Sequence, residues 1–248
     1  MNRFLVPLGF FAALIISVAL WWFMPEIAGE QFGHQMKSAG PLVAMLIMLL
    51  ILQISFVVER MLSLNKAQGR GSLPDFLNNV RKRLHSNDVA GAIELCGKQR
   101  GSAANVMRAG LERYSILRRE NAPKEKIVAE TQAAIQEASG LETPLLERNL
   151  IALSTIASIS TMVGLLGTVM GMIRSFAALG TSGAVDASKL AVGISEALIN
   201  TAGGLFVAIL GIVMYNVFVT RVDNFNYMMD EASYEVLQLL AASAADKN

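Results

Sequence analysis

Two apolar stretches decide the fold: LIALSTIASISTMVGLLGTVMGMI at residues 150–173 and LAVGISEALINTAGGLFVAILGIVMYNVFV at residues 190–219. The first contains no charged residue, and the second contains only Glu196. A membrane-spanning helix needs about 20 consecutive, mainly apolar residues. Each stretch is therefore predicted to cross a lipid bilayer once.

Two earlier runs, residues 4–24 and 39–58, are also free of charge. A secretory signal peptide is the alternative for the first run, but its apolar part is usually about 7–15 residues long and precedes small residues. Here the bulky Trp21 and Trp22 follow, so we favour a retained helix with an interfacial tryptophan pair. With 53% hydrophobic residues, the chain is predicted to be an all-α, polytopic membrane protein with four transmembrane helices.

The central segment fixes the predicted topology. Residues 59–150 hold 15 of the 21 Lys and Arg residues, and cationic loops favour the cytoplasm. Both termini are then cytoplasmic, and no alternating strand pattern interrupts this helical stalk. The predicted parts are 1–58, two N-terminal transmembrane helices with a short periplasmic loop; 59–149, a helical cytoplasmic domain; 150–220, two pore-forming transmembrane helices with a short periplasmic loop; and 221–248, a cytoplasmic C-terminal helix. The helix from Lys124 is expected to continue into the third span with a bend at Pro144.

Composition argues against several classes of function. The 21 Lys and Arg nearly balance the 20 Asp and Glu, so nucleic-acid binding is not expected. Cys96 is the only cysteine, and His34 and His85 lie far apart, so neither a disulfide framework nor a metal site is predicted. The chain has no GxxxxGK[ST] or HExxH motif. We therefore expect a protein that is not an enzyme and binds no cofactor.

Small and hydroxyl residues mark two stripes on the third span. At about 100° per residue, five hydroxyl residues share one stripe: Ser154, Ser158, Thr161, Thr168 and Ser175. These hydroxyls either line a wet gap or bond carbonyls of their own helix. Glycines permit close helix packing in membranes, and Gly164, Gly167 and Gly171 form the second stripe of the third span. Together with two glycines of the fourth span, Gly203 and Gly204, they are assigned to helix packing.

Three polar residues are candidates for an ion path: Thr168, Thr201 and Glu196. At 1.5 Å per residue, Thr168 lies about 15 Å from Ala178 and Thr201 about 16 Å from Leu190, so both are predicted at mid-membrane. An intramembrane carboxylate such as Glu196 is a functional candidate, although it lies only about 9 Å from Leu190 and the outside water. Threonine does not titrate near neutral pH, and no Asp lies in the four apolar runs. A second protein is therefore expected to supply the titrating carboxylate.

The residues 146–179 and 193–216, with the motifs GLLGTV (164–169) and SEALINTA (195–202), closely resemble the MotA/TolQ/ExbB family of proton-channel subunits, and the ExbB and TolQ branch most. The resemblance implies a pentameric ring in the bacterial inner membrane around a dimeric, single-span partner of the ExbD/TolR type. An Asp of that partner would carry protons inward and drive work across the periplasm, such as outer-membrane transport. Thr168, Thr201 and Glu196 match family positions associated with the proton path or pore lining.

The chain also departs from the family pattern. Thr161 stands where relatives often have Pro, and Ile209-Leu210 stands where many have Ile-Pro, so straighter helices are expected. The extra run at 4–24 is unlike the three spans of typical ExbB and TolQ proteins and resembles the layout of the flagellar stator subunit. A flagellar- or gliding-type stator with a MotB-like partner is therefore one alternative. A membrane scaffold that does not conduct ions is the other.

Overall fold

The computed structural model describes residues 5–23, 26, 33, 36–37, 40–181 and 187–245. The predicted all-α class is confirmed, because the described residues form α-helices and contain no β-strand. The helices are α1 (Leu5–Trp22), α2 (Pro41–Gln68), α3 (Leu73–His85), α4 (Val89–Gln99), α5 (Ser102–Arg119), α6 (Lys124–Glu147), α7 (Leu150–Thr181) and α8 (Ala187–Ala245). His34 and residues 182–186 of the second predicted outer loop lie outside the described residues.

Among the described residues, α2, α7 and α8 each contain a stretch long and apolar enough to cross a membrane. These stretches correspond to the second, third and fourth predicted spans, so the chain is a multi-pass membrane protein. The first predicted span corresponds to α1, in which Ala12–Trp22 forms a shorter apolar helix.

The chain divides into two compact units. The first unit contains the described residues up to Glu59 together with Asn149–Val217. Its apolar core draws on three helices: α2 supplies Leu46 and Leu49, α7 supplies Ile156 and Val163, and α8 supplies Val207. This unit therefore contains the apolar stretch 150–173 and most of the stretch 190–219, up to Val217.

The second unit contains Arg60–Arg148 and the described residues from Phe218 onward. Two of its helices, α3 and α4, start at capping residues, since Ser72 accepts a hydrogen bond from the Asp75 N–H and Asp88 accepts one from the Gly91 N–H. Apolar side chains at helical spacing fill its core, including Val80 of α3 and Leu111 of α5, which are 1% and 0% exposed. The predicted helical stalk is thus a packed helical unit.

The connection between α6 and α7 differs from the prediction. Pro144 lies inside α6, which continues to Glu147. The chain turns instead at Arg148 and Asn149, where Asn149 has φ +62°. Its side-chain Nδ2 donates to Glu59 Oε2 at 3.2 Å. The prediction of one continuous helix bent at Pro144 is therefore wrong. The break lies at Asn149 because asparagine tolerates the left-handed backbone conformation that separates the two helices.

Candidate functional site

Helices α7 and α8 run antiparallel and touch through small residues. A methyl group added at Gly164 would lie 3.1 Å from the Gly204 Cα, and one added at Gly171 would lie 2.8 Å from the Ala197 Cβ. Residue 164 is thus opposite 204, and 171 is opposite 197. A larger residue at either position would force its neighbour to shift, so the two helices pack closely through small residues, as membrane helices often do.

Two more of the assigned glycines have different neighbours. Gly167 packs directly on the side chain of Asn200, which is 1% exposed. Asn200 Nδ2 donates to the Glu196 carbonyl at 3.1 Å. Gly203 instead faces α2, where a methyl group would lie 3.3 Å from Leu46 Cδ1. Of the two adjacent glycines of α8, Gly204 therefore packs on α7 and Gly203 on α2.

Thr201 connects α8 to α7. Its Oγ1 donates to the Gly164 carbonyl at 3.2 Å. This oxygen is reachable because Gly164 has no side chain and its backbone lies against Thr201 and Gly204. The threonine is half-buried. It therefore provides a neutral hydroxyl at the helix interface.

Thr168 lies one helical turn beyond Gly164 on α7. The antiparallel register puts residue 168 opposite residue 200, so Thr168 and Thr201 lie at nearly the same level along the helix pair. They do not bond each other, since Thr168 Oγ1 donates to the Leu165 carbonyl at 2.6 Å. Thr168 is half-buried and lines an open groove of about 520 Å³ along α7. The other lining residues are Val169, Met172, Ile173 and Phe176.

The other hydroxyls of the predicted stripe also bond carbonyls of their own helix. Each donates to a carbonyl three or four residues earlier: Ser154, Ser158, Thr161 and Ser175. This is one of the two alternatives that the sequence left open. The Thr201 hydroxyl differs from these, because it donates to a carbonyl of the neighbouring helix α7.

Glu196 lies in an ion pair that the sequence did not reveal. Its carboxylate is 3.6 Å from the Arg174 guanidinium, and the two side chains are 14% and 47% exposed. The Arg174 side chain also lies against Gly40, where an added methyl group would be 3.4 Å from a guanidinium nitrogen. Arg174 and Glu196 both lie near the outer ends predicted for their spans. Counting 1.5 Å per residue from the outer end of each span places Arg174 and Glu196 at similar depths, just as it does for the two threonines.

Gln53 of α2 is a second polar residue that sequence reasoning missed. It is 0% exposed, and neither atom of its carboxamide has a hydrogen-bond partner among the described residues. It lies beside Gly211, where an added methyl group would be 2.9 Å from Gln53 Nε2. Its position inside the apolar run 39–58 was the available signal.

The chemistry of this arrangement is that of neutral hydroxyls beside one ion pair. Hydroxyl groups both donate and accept hydrogen bonds, so they can pass a hydrogen bond or hold a water molecule without gaining charge. The described residues contain no group of three or more His, Cys, Asp or Glu side chains that could hold a metal ion. Proton uptake and release at the level of the threonines therefore requires a titratable group from elsewhere.

Comparison with known proteins identifies the family. Residues 98–231 match the model of the MotA/TolQ/ExbB proton channel family. An ExbB-like 3 biopolymer transport protein of Synechocystis sp. is 33% identical over 183 residues, which cover 73% of this chain and 81% of the relative. The Tol-Pal system protein TolQ of Pseudomonas aeruginosa is 41% identical over 117 residues, or 47% of this chain and 51% of the relative. The biopolymer transport protein ExbB of Pseudomonas putida is 39% identical over 89 residues, or 36% of this chain and 27% of the relative.

The matched region contains the whole of α7 and the membrane part of α8, where the glycine contacts and the threonine bond lie. The chain spans about half the length of the TolQ relative and most of the ExbB-like one. The chain belongs to the MotA/TolQ/ExbB proton channel family, in its ExbB/TolQ branch.

Proposed function

We propose that this chain is the ring-forming subunit of a proton-driven motor in the bacterial inner membrane. Several copies, five by analogy with the family, surround a single-span partner of the ExbD/TolR type. An Asp of the partner takes up and releases the protons, and the resulting motion energises transport at the outer membrane. The observation that carries the proposal is that Thr168 and Thr201 lie at nearly the same level on two antiparallel helices, in a chain of this family.

The exposed apolar face of α7 beside Thr168 supports the presence of a partner helix. Leu165, Val169, Ile173 and Phe176 are each at least half exposed on α7. Such an apolar face needs lipid, another copy or a partner helix against it. Thr168 adds a hydroxyl oxygen at the edge of this face. A helix bearing an Asp and lying along the groove would meet that hydroxyl.

The two threonines have different roles in this proposal. Thr201 holds α8 against the Gly164 carbonyl, which keeps the hydroxyl at a fixed place in the interface. Thr168 stands closest to the open groove and offers its oxygen to the partner's Asp or to a water molecule. Neither residue carries the charge, because a hydroxyl stays neutral at physiological pH.

Glu196 is assigned to the outer entrance of the proton path. Its pairing with Arg174 supports this assignment, since a paired carboxylate is far less costly to desolvate than a lone one. With both termini in the cytoplasm, as the cationic central segment indicates, this pair lies toward the periplasm. Protons would pass it before they reach the threonines.

The test replaces each threonine with valine, which keeps the shape and removes the hydroxyl. The chain is co-expressed with an ExbD- or TolR-like protein of the same genome, and proton flux is measured in liposomes that contain the purified complex. Thr168→Val and Thr201→Val are expected to lower the flux about tenfold while the complex still assembles. Lost interhelical hydrogen bonds in membranes destabilise by only about 0.6–1.7 kcal/mol.

Two matched variants complete the experiment. Thr155→Val removes a hydroxyl that donates to the Ile151 carbonyl at 2.7 Å on the exposed side of α7, and it is expected to leave the flux unchanged. Thr168→Ser keeps a hydroxyl and is expected to restore most of the flux. Assembly with undiminished flux in both valine variants would contradict the proposal and favour the scaffold. Selective assembly with a MotB-like protein would favour a flagellar- or gliding-type stator.

A further inference from the structure

The second unit contains a basic cavity of about 600 Å³ that the proton path does not use. Its lining includes residues from the end of α2, the end of α4, the start of α5 and the last turns of α6. The polar and charged residues that matter here are Lys66, Arg100, Ser102, Arg108 and Glu142. The cavity therefore brings together groups from four separate helices.

A tight junction fixes the geometry of this cavity. Gly69, at φ +82°, lies so close to the end of α4 that an added methyl group would be 2.6 Å from the Gln99 carbonyl oxygen. The Arg70 N–H donates to that same oxygen at 2.7 Å, and Gln99 Nε2 donates back to the Gln68 carbonyl at 3.2 Å. The end of α2, which bears Lys66, is thus held against the end of α4. Gly101, just before α5, also lies against α2, since an added methyl group there would be 2.6 Å from the Ala67 carbonyl oxygen.

The N-terminus of α5 opens into the lining without a side-chain cap. Its N-cap residue is Gly101, which offers no side-chain acceptor to the 18-residue helix. The first-turn amides of a helix carry a partial positive charge and bind anions. This feature is general to helices, so it needs a second observation specific to the cavity.

Ser102 provides that observation. It is the first residue of α5, lines the cavity and is only 6% exposed. Its hydroxyl makes no hydrogen bond to any residue that the structure describes. Its oxygen is not among the fully enclosed side-chain atoms that lack a partner, so it is open to the cavity, where it can donate to or accept from a ligand.

The charges of the lining favour an anion. Lys66 and Arg100 make no ion pair within the described part of the chain. Arg108 is engaged with Glu112 through a 2.6 Å contact. Glu142 is the single acidic residue of the lining. Two cations without an acidic partner therefore line the same cavity as the hydroxyl and the helix N-terminus.

We propose that this cavity binds a phosphate group, held by Lys66, Arg100, the Ser102 hydroxyl and the first-turn amides of α5. Phosphate oxygens accept hydrogen bonds from several directions and gain strength from charged donors. Two sources share this chemistry: an anionic phospholipid headgroup and a soluble phosphate compound. Lys66 follows Val58, the last residue of the apolar run in α2, by eight residues, so both sources are tested. The proposal is independent of the proton path.

The experiment uses the full chain in detergent and two probes. Inorganic phosphate is titrated at constant ionic strength against chloride, with the unfolding temperature as readout. Separately, the protein is reconstituted in nanodiscs of phosphatidylcholine with or without phosphatidylglycerol, and the retained lipid is measured by native mass spectrometry. The test variants are Lys66→Gln with Arg100→Gln, and Ser102→Ala. The charge-matched control is Arg70→Gln with Lys82→Gln, since neither residue lines the cavity.

The proposal predicts that at least one probe binds the wild type and the control alike. The double variant at Lys66 and Arg100 is expected to bind about tenfold more weakly, and Ser102→Ala severalfold more weakly, as lost charge-assisted hydrogen bonds require. Binding of inorganic phosphate identifies a soluble ligand, whereas selective retention of phosphatidylglycerol alone identifies a headgroup. Equal binding by wild type and both test variants, binding of neither probe, or an equal loss in the control would overturn the proposal.

Discussion

Glu196 and Arg174 show how long side chains change a helix-face argument. On a straight helix Glu196 projects about 140° from Thr201, yet both residues contact α7, one through the Arg174 guanidinium and the other through the Gly164 carbonyl. The reach of arginine makes this possible, because its head group lies far from its Cα. Projection angles alone therefore do not assign charged residues to an interface.

The ion pair gives a prediction for single and double variants. Arg174→Gln leaves the Glu196 carboxylate largely buried without its partner, so it is expected to lower the unfolding temperature in detergent. The double variant with Glu196→Gln is expected to recover most of that loss, and to lose proton flux because the carboxylate is gone. A double variant no more stable than Arg174→Gln would show that the two residues are not coupled.

Cys96 gives a prediction about pH. Burial raises the pKa of its thiol to about 12, from an ordinary value of 9.0. Unfolding exposes the thiol, so between these values the unfolded chain loses a proton that the folded chain retains. The contribution to stability is complete below pH 9 and declines as the pH rises toward 12.

The measurement is alkylation of Cys96 by iodoacetamide in the folded chain. The reaction needs the thiolate, so labelling at pH 9 is expected to be much slower than in the urea-unfolded chain. Equal labelling rates in the two states would show that the thiol is neither buried nor protonated.

The sequence predicts where a membrane helix lies better than it predicts where a helix ends. Composition located α2, α7 and α8, since about 20 uncharged residues have few alternatives to a membrane helix. It misplaced the break before α7, because a proline is a strong local signal and the tertiary contacts of the turn are not local. Arg60, 86 residues away, donates to the Leu146 carbonyl at 3.2 Å. That bond satisfies one of the last carbonyls of α6.

Arg60 is therefore expected to stabilise the second unit. It is 1% exposed, and Arg60→Met removes the charged donor while it keeps most of the aliphatic stem. The loss is expected to be about 1.5–3 kcal/mol, the usual contribution of a hydrogen bond to a charged group. Chemical denaturation of the full chain in detergent measures it, with Arg119→Met as an exposed control on α5. Equal stability of the two variants would contradict this role.

At the scale of the whole molecule, the sequence predicted the class and the helix pair that matters, and it missed specific contacts. Helical spacing gives the faces and the depths of the glycines and threonines, and the role of the threonines in a proton path stays a prediction. The pairing of Arg174 with Glu196 and the buried Gln53 depend on which helices meet, and that follows only from the packed structure. The basic cavity depends on four separate helices and could not be seen in any one segment.

The central claim is that Thr168 faces a hydrated proton path beside a partner helix. The most direct test measures the reaction of a Thr168→Cys variant with a charged, water-soluble methanethiosulfonate in native membranes, in a Cys96→Ala background. Met162→Cys, on another face of α7 and 67% exposed in the single chain, is the matched control. The account predicts that the cysteine at position 168 reacts and is protected by the co-expressed partner, while the one at 162 stays unreactive in lipid. A cysteine at 168 as unreactive as the control, with or without the partner, would contradict it.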